Sequence, residues 1–191
     1  MKEVEILVMI QSEDFQGIRN KILKKAKFIS QSKVLDTYYF DPLRNNLQPD
    51  ENLALYECFR LREKDDKAYL TYKIDKFDKN GKWLYSDENE SAVKKVEEIS
   101  KIINNLGLKE LVVVDMVKEY YENDEFTIAI EYVKNLGAFL EVESKKKFES
   151  EEDIKLEKSK IEEFIVAFGF AVSGDVGIGK PEMLLKKLSK K

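Results

Sequence analysis

The chain has 191 residues, with 33 Lys or Arg against 37 Asp or Glu and a net charge of −4. With 43% apolar residues, 11% aromatics, 3 Pro and 8 Gly, the composition is that of a folded globular protein and excludes a linker or disordered tail. A pI near 5.3 argues against a general binder of nucleic acid or anionic membranes. No apolar run reaches bilayer length and the start lacks a signal-peptide core, so a cytoplasmic protein is expected.

In chain order, Glu3 to Ile10 alternates and then becomes apolar, which predicts a strand with Glu3 and Glu5 on one face. Ser12 can cap a helix through Phe15, Ile18, Ile22, Leu23 and Ala26. Val34 to Phe40 is rich in β-branched and aromatic residues and ends at Asp41-Pro42. Leu53 to Glu63, Ala68 to Phe77 and Lys82 to Ser86 read as a meander with turns at Lys64 to Lys67 and at Asn80-Gly81. From Val93 the period turns helical and stops at Gly107. A second strand group follows: Leu111 to Val117, Lys118 to Tyr121, Phe126 to Tyr132 and Phe139 to Val142. Ser150 caps a helix closed by Gly169, the stretch with Gly174, Gly177 and Gly179 reads as a connector, and a last helix starts at Pro181. Many antiparallel strands with interspersed helices favour an α+β architecture whose sheet curls toward a barrel, with 1–191 as a single domain.

The chain contains no His, which removes Ser-His and Cys-His nucleophile pairs and the usual general base. Any catalysis then runs on carboxylates, lysines, arginines and oxygen-ligated metal ions. Cys58, beside apolar Phe59, reads as a small core residue. For Trp83 and Tyr85, packing under a helix or hairpin is favoured over base stacking. Four strand segments place charges at period two: Glu3-x-Glu5, Arg60-x-Arg62, the Lys73 end of Leu70 to Lys73, and Glu141-x-Glu143. Such a face is often simply the wet one. Here the alternate residues Val4, Ile6, Phe59, Leu61, Leu140 and Val142 are apolar, so if they pack against the helices the charged faces meet inside. There, carboxylates can bind a divalent cation and basic groups can clamp phosphate.

These segments resemble the CYTH-domain, or triphosphate tunnel, family, which includes class IV adenylate cyclases and thiamine and inorganic triphosphatases. The resemblance runs through Glu3-Val4-Glu5, Asp36 to Asp41, Phe59 to Arg62, Leu70 to Lys73, Leu136 to Glu143, Phe168 to Phe170 and Glu182 to Leu185. It implies an antiparallel eight-stranded tunnel flanked by helices. It also implies Mg2+ or Mn2+ held by Glu3, Glu5, Glu131, Glu141 and Glu143, and a triphosphate held by Arg60, Arg62, Lys73 and Lys118. Two departures stand out: the third position of the opening motif is Leu7 where the family has lysine, and Met116 stands where a basic residue is usual. The family's strand with two further acids is represented by Lys82 to Ser86, which carries only the basic end unless Asp87, Glu88 or Glu90 comes into register.

The expected function is that of a divalent-metal-dependent enzyme acting on a small-molecule triphosphate by cyclase-like or triphosphatase chemistry, with no assigned catalytic residue. The alternative, prompted by Leu7 and Met116, is a degenerate tunnel that binds polyphosphate or nucleotide without turnover. Neither nucleic acid nor membrane is expected as a partner, and a homodimer is allowed.

Overall fold

A computed structural model describes residues 2–190. In chain order the elements are β1 (Lys2–Glu3), β2 (Glu5–Ile10), α1 (Phe15–Leu23), β3 (Lys27–Phe40), β4 (Glu57–Lys64), β5 (Lys67–Phe77) and β6 (Trp83–Val93). They continue as α2 (Val96–Asn105), β7 (Lys109–Glu122), β8 (Phe126–Val133), β9 (Gly137–Ser144), α3 (Glu151–Val166), β10 (Val172–Asp175) and α4 (Lys180–Leu188). All strands belong to one antiparallel sheet ordered β1-β6-β5-β4-β3-β7-β8-β9-β2-β10. β1 pairs with β6 and β2 with β9, yet only Val4 separates β1 from β2. The first ten residues therefore tie the two ends of the sheet together and force it to curl around an interior.

The outer face is apolar because period two sends Val4, Ile6, Ile128, Ile130, Leu140 and Val142 outward, where they form one core with Ile18 and Ile22 of α1 and Ile154, Ile161 and Ile165 of α3. α2 covers Tyr39 and Leu61 through Ile103. α4 packs differently: its Leu184 joins Leu7, Val34, Tyr38, Val114, Met116 and Phe139, so it closes one part of the sheet's interior.

Several expected boundaries move. Among the described residues ten strands form rather than eight, since Val4 splits the first strand and the glycine-bearing connector supplies β10 against β2. β3 begins at Lys27 rather than near Val34, because its polar first half pairs along β7 and tertiary pairing overrides local pattern. β7 runs unbroken through the two strands expected there. β4 starts at Glu57 rather than Leu53: Asp50 accepts hydrogen bonds from the Asn52 and Ala54 amides, and Leu53 has φ 61°, a turn conformation. β6 extends to Val93, so the next helix begins at Val96. α1 is capped by Asp14, whose carboxylate accepts from the Gly17 amide, rather than by Ser12. Among the described residues no helix is long and apolar enough to cross a membrane.

Candidate functional site

The face opposite the helices lines a cavity of about 610 Å³. Its wall includes Glu3 and Glu5 of β1 and β2, Asp36 of β3, Arg60 and Arg62 of β4, Lys73 of β5, Lys118 of β7, and Glu141 and Glu143 of β9. Eight carboxylates and six basic side chains line it. The alternation that buries apolar residues under α1, α2 and α3 is what places these charges together inside.

The bases differ in how completely they are satisfied. Arg62 holds Asp36 in a bidentate pair, 2.7 Å on both arms. Lys73 bridges Glu3 and Glu88, the latter at 2.9 Å. Lys118 contacts Glu131 and lies 3.0 Å from Glu141. Lys180, at the start of α4, reaches the same two acids at 2.5 and 2.6 Å. Arg60 is different. It is 7% exposed, and its terminal nitrogens lie 3.5 to 3.8 Å from Tyr38, Asp36, Glu88 and Glu90. Its buried Nε makes no hydrogen bond to any described residue. A guanidinium so placed has donor capacity that a carboxylate or phosphate oxygen would satisfy.

The acids divide in the same way. Burial alone would raise Glu3, but Lys73 and Arg60, with hydrogen bonds involving Glu88 and Lys73, pull its pKa down to about 2. Glu141 is likewise held low against burial by Lys118 and Lys180. Glu5 and Glu143 are direct cross-strand partners and go the other way. Burial, then the charges of Glu141 and Glu3, push Glu5 well up; burial, Glu3 and Glu141 raise Glu143 to about 7. Buried carboxylates facing carboxylates are relieved by a cation, and an all-oxygen donor set suits Mg2+ or Mn2+. The residues fit such an ion, although among the described residues no three acids are already arranged around one point to hold it. Lys73, Lys118 and Lys180 draw Glu3 and Glu141 toward themselves.

Of the residues expected from sequence, Glu3, Glu5, Glu141, Glu143, Arg60, Arg62, Lys73 and Lys118 share this wall. Glu131 is fully buried behind it, between Lys118 and Lys180. Leu7 does line the wall, as Cα partner of Glu141, while Met116 belongs to the apolar cluster under α4. The extension of β6 brings Glu88 opposite Lys73 and Glu90 opposite Thr71, so the two acids missing from the expected strand are present, whereas Asp87 falls on the alternate face. Cys58 is half-buried against the apolar cluster and burial pushes its thiol up, as a structural cysteine requires. Trp83 packs beneath Lys158 of α3, with the ammonium 3.9 Å from the ring centroid. Sequence reasoning passed over Asp36 and Lys180. Asp36 carried a signal, a charge at the period-two position of an apolar strand. Lys180 carried none, because only the docking of α4 points it inward.

A sequence profile of the CYTH domain matches residues 1–165. A protein of Methanocaldococcus jannaschii named "Putative adenylate cyclase" is 28% identical over 162 residues, covering 83% of this chain and 85% of that protein. Among solved structures, a Pyrococcus horikoshii protein superposes with a TM-score of 0.80 at 25% identity, covering 97% of this chain and 99% of its own. A Hippeastrum protein, described as a putative adenylyl cyclase with dominant triphosphatase activity, shares the fold at 15% identity and a TM-score of 0.64, covering 99% and 96% of the two chains. With the profile spanning most of its length and the inward alternation of acids and bases in place, the chain belongs to the CYTH domain family.

Proposed function

We propose that this protein is a divalent-cation-dependent enzyme that acts on a phosphoanhydride bond of a triphosphate compound. The observation that carries this reading is Arg60, a buried guanidinium whose Nε no described residue satisfies, in a cavity that also holds an excess of carboxylates. The arginine calls for an anion. The excess of acids would repel one unless divalent cations accompanied it. Arg60, Arg62, Lys73 and Lys118, joined by Lys180, would bind phosphate oxygens, Arg62 from its bidentate pair with Asp36. Glu3, Glu5, Glu141 and Glu143 would hold the cation, which when bound neutralises phosphate charge and polarises the phosphorus centre. The names carried by relatives support cyclisation of a nucleotide or hydrolysis of a triphosphate as the two chemistries to test. Lys180 weakens the alternative of a degenerate binder, since it brings a cation to Glu141, the cross-strand partner of Leu7.

The test is a titration of the purified protein with ATP, inorganic triphosphate and thiamine triphosphate, with Mg2+, Mn2+ or EDTA, reading melting temperature and products. At least one triphosphate should raise the melting temperature only with a divalent cation. It should then be turned over to phosphate or to a cyclic nucleotide. Replacing both Glu141 and Glu143 by Gln should remove the cation dependence while the fold survives. Turnover that persists in EDTA, or triphosphate effects unchanged in that variant, would sink the reading.

A further inference from the structure

Where α4 meets the sheet, two lysines and two glutamates form a closed square of charge. Lys180 Nζ lies 2.5 Å from Oε2 of Glu131 and 2.6 Å from Oε2 of Glu141. Lys118 Nζ contacts Oε1 of Glu131 and lies 3.0 Å from Oε1 of Glu141. Every carboxylate oxygen in the square therefore faces an ammonium, and each ammonium bridges both acids. The neighbouring acids differ: Glu5 and Glu143 form no ion pair with any described residue. Glu131 is sealed behind the wall, whereas the Glu141 side chain is 15% exposed, lines the cavity and belongs to the set that would hold the cation. Its oxygens are already taken.

A divalent cation that takes Glu141 must displace these ammonium groups, and an ammonium displaced within a buried wall is costly unless it gains a new partner. A polyanion supplies that partner. The stem of Lys180 is a flexible four-carbon chain, while α4 itself is held by Leu184 under the sheet and by Glu182, which accepts from the Leu55 amide at 3.3 Å. The ammonium can therefore change partners with the helix in place. We propose that Lys180 is a built-in counterion that keeps Glu141 closed to free divalent cations and releases it when a polyphosphate draws the ammonium away. A cation alone then finds only Glu5 and Glu143 open and binds weakly. Cation and polyphosphate bind with positive coupling, and by linkage each strengthens the other equally. The inference rests on the cation-and-phosphate reading above and adds how the empty site regulates its own loading.

Binding of Mn2+ alone is followed by the electron paramagnetic resonance of the free ion, and binding of inorganic triphosphate by heat, in Mn2+ and in EDTA. Lys180→Met should bind Mn2+ alone at least tenfold more tightly than the parent, and triphosphate in EDTA more weakly. The gain in triphosphate affinity that Mn2+ brings should shrink at least tenfold in the variant; chelation in solution is common to both proteins and cancels in that comparison. Lys64→Met is the control. Lys64 lines the same cavity but lies over Tyr120, its ammonium 3.9 Å from the ring centroid, and pairs with no described acid. Its loss removes a charge without freeing a carboxylate, so Mn2+ affinity should stay within about threefold. Lys180→Gln repeats the measurement where the Met variant melts too early to titrate. Mn2+ affinity equal in the parent and the Lys180 variants, or raised as much by Lys64→Met, overturns the exchange. If Mn2+ with triphosphate still raises the melting temperature of the parent, the proposed function stands without it. No effect of Mn2+ and triphosphate together overturns both.

Discussion

β7 carries two buried charge clusters back to back, and their difference separates a structural network from a site. On the outer face, Glu119 takes a bidentate pair from Arg19 at 2.6 and 2.8 Å and a hydrogen bond from Tyr121 at 2.9 Å, while Arg19 also reaches Tyr132 at 3.0 Å. One cation meets one anion and both carboxylate oxygens of Glu119 are engaged, so the cluster is closed. On the inner face, Lys118 belongs to a set in which acids outnumber bases, Arg60 touches four partners loosely, and Glu5 and Glu143 confront one another. A cluster built only for stability has no reason to leave such imbalance. One built to receive a polyanion with its cations does.

The comparison predicts opposite phenotypes for two arginine truncations. Arg60→Ala should lower triphosphate affinity by a hundredfold or more while the melting temperature changes little. Asp36 keeps Arg62, Glu88 keeps Lys73, and Glu90 keeps Thr71, so no acid is stranded. Arg19→Ala should do the reverse. It leaves Glu119, 4% exposed, with the Tyr121 and Tyr132 hydroxyls but no cation, at a cost of about 2 kcal/mol in denaturant unfolding, and binding should stay within twofold. If Arg60→Ala unfolds the protein and Arg19→Ala abolishes binding, the assignment of roles is inverted.

Much of this division was legible in the sequence, because period two is a strong signal when one face is apolar. Glu3-x-Glu5, Arg60-x-Arg62 and Glu141-x-Glu143 were each found beside apolar alternates, and the structure places all six on one wall. What escaped depended on contacts between distant segments. Glu88 and Glu90 lie in a strand whose outer half, through Ser91 and Val93, has too little apolar pattern to be read locally and exists because β5 pairs along it. The first half of β3 was lost for the same reason. Lys180 sits after a run of glycines on a short helix, and its direction follows from Leu184 docking under the sheet, which no local pattern encodes.

A pH series sharpens the comparison with a smaller effect. The folded protein keeps a proton on Glu143 up to about pH 7, against an ordinary value of 4.5. Between those values the native state binds more protons than the unfolded chain, so stability falls as pH rises from about 4.5 to 7. Glu5 contributes with the same sign. Glu3 and Asp36 are held at about 2, Asp36 because Arg60 and Arg62 override its burial, and their contribution is lost as pH falls from about 4.5 toward 2. Stability in EDTA should therefore peak near pH 4.5. The melting temperature should decline by roughly 5 °C toward pH 7, and Mg2+ should flatten the decline by favouring the ionised acids. Glu143→Gln should also flatten it. A protein whose inner charges were as closed as those around Glu119 would show no such decline, and that profile would count against the open cluster.

The finest test concerns Leu7 and Lys180, an apolar residue and a cation that both adjoin Glu141. Lys180→Ala leaves Glu131 and Glu141 sharing Lys118 alone, and Glu131 is fully buried. That variant should lose about 2 kcal/mol of stability and roughly tenfold in triphosphate affinity. Leu7→Lys by itself adds an ammonium to a wall already served by Lys180 and removes an apolar contact with the cluster under α4, so it should be mildly destabilising and bring no gain in affinity. Together the two changes move the charge from α4 to β2, where its carboxylate partner is the directly opposed residue. The double variant should recover about 1 kcal/mol relative to the sum of the singles and bind triphosphate within about threefold of the parent. Strict additivity in both stability and affinity would mean that Lys180 does not occupy the electrostatic place left by Leu7, and that the cation on the plugging helix serves α4 docking alone.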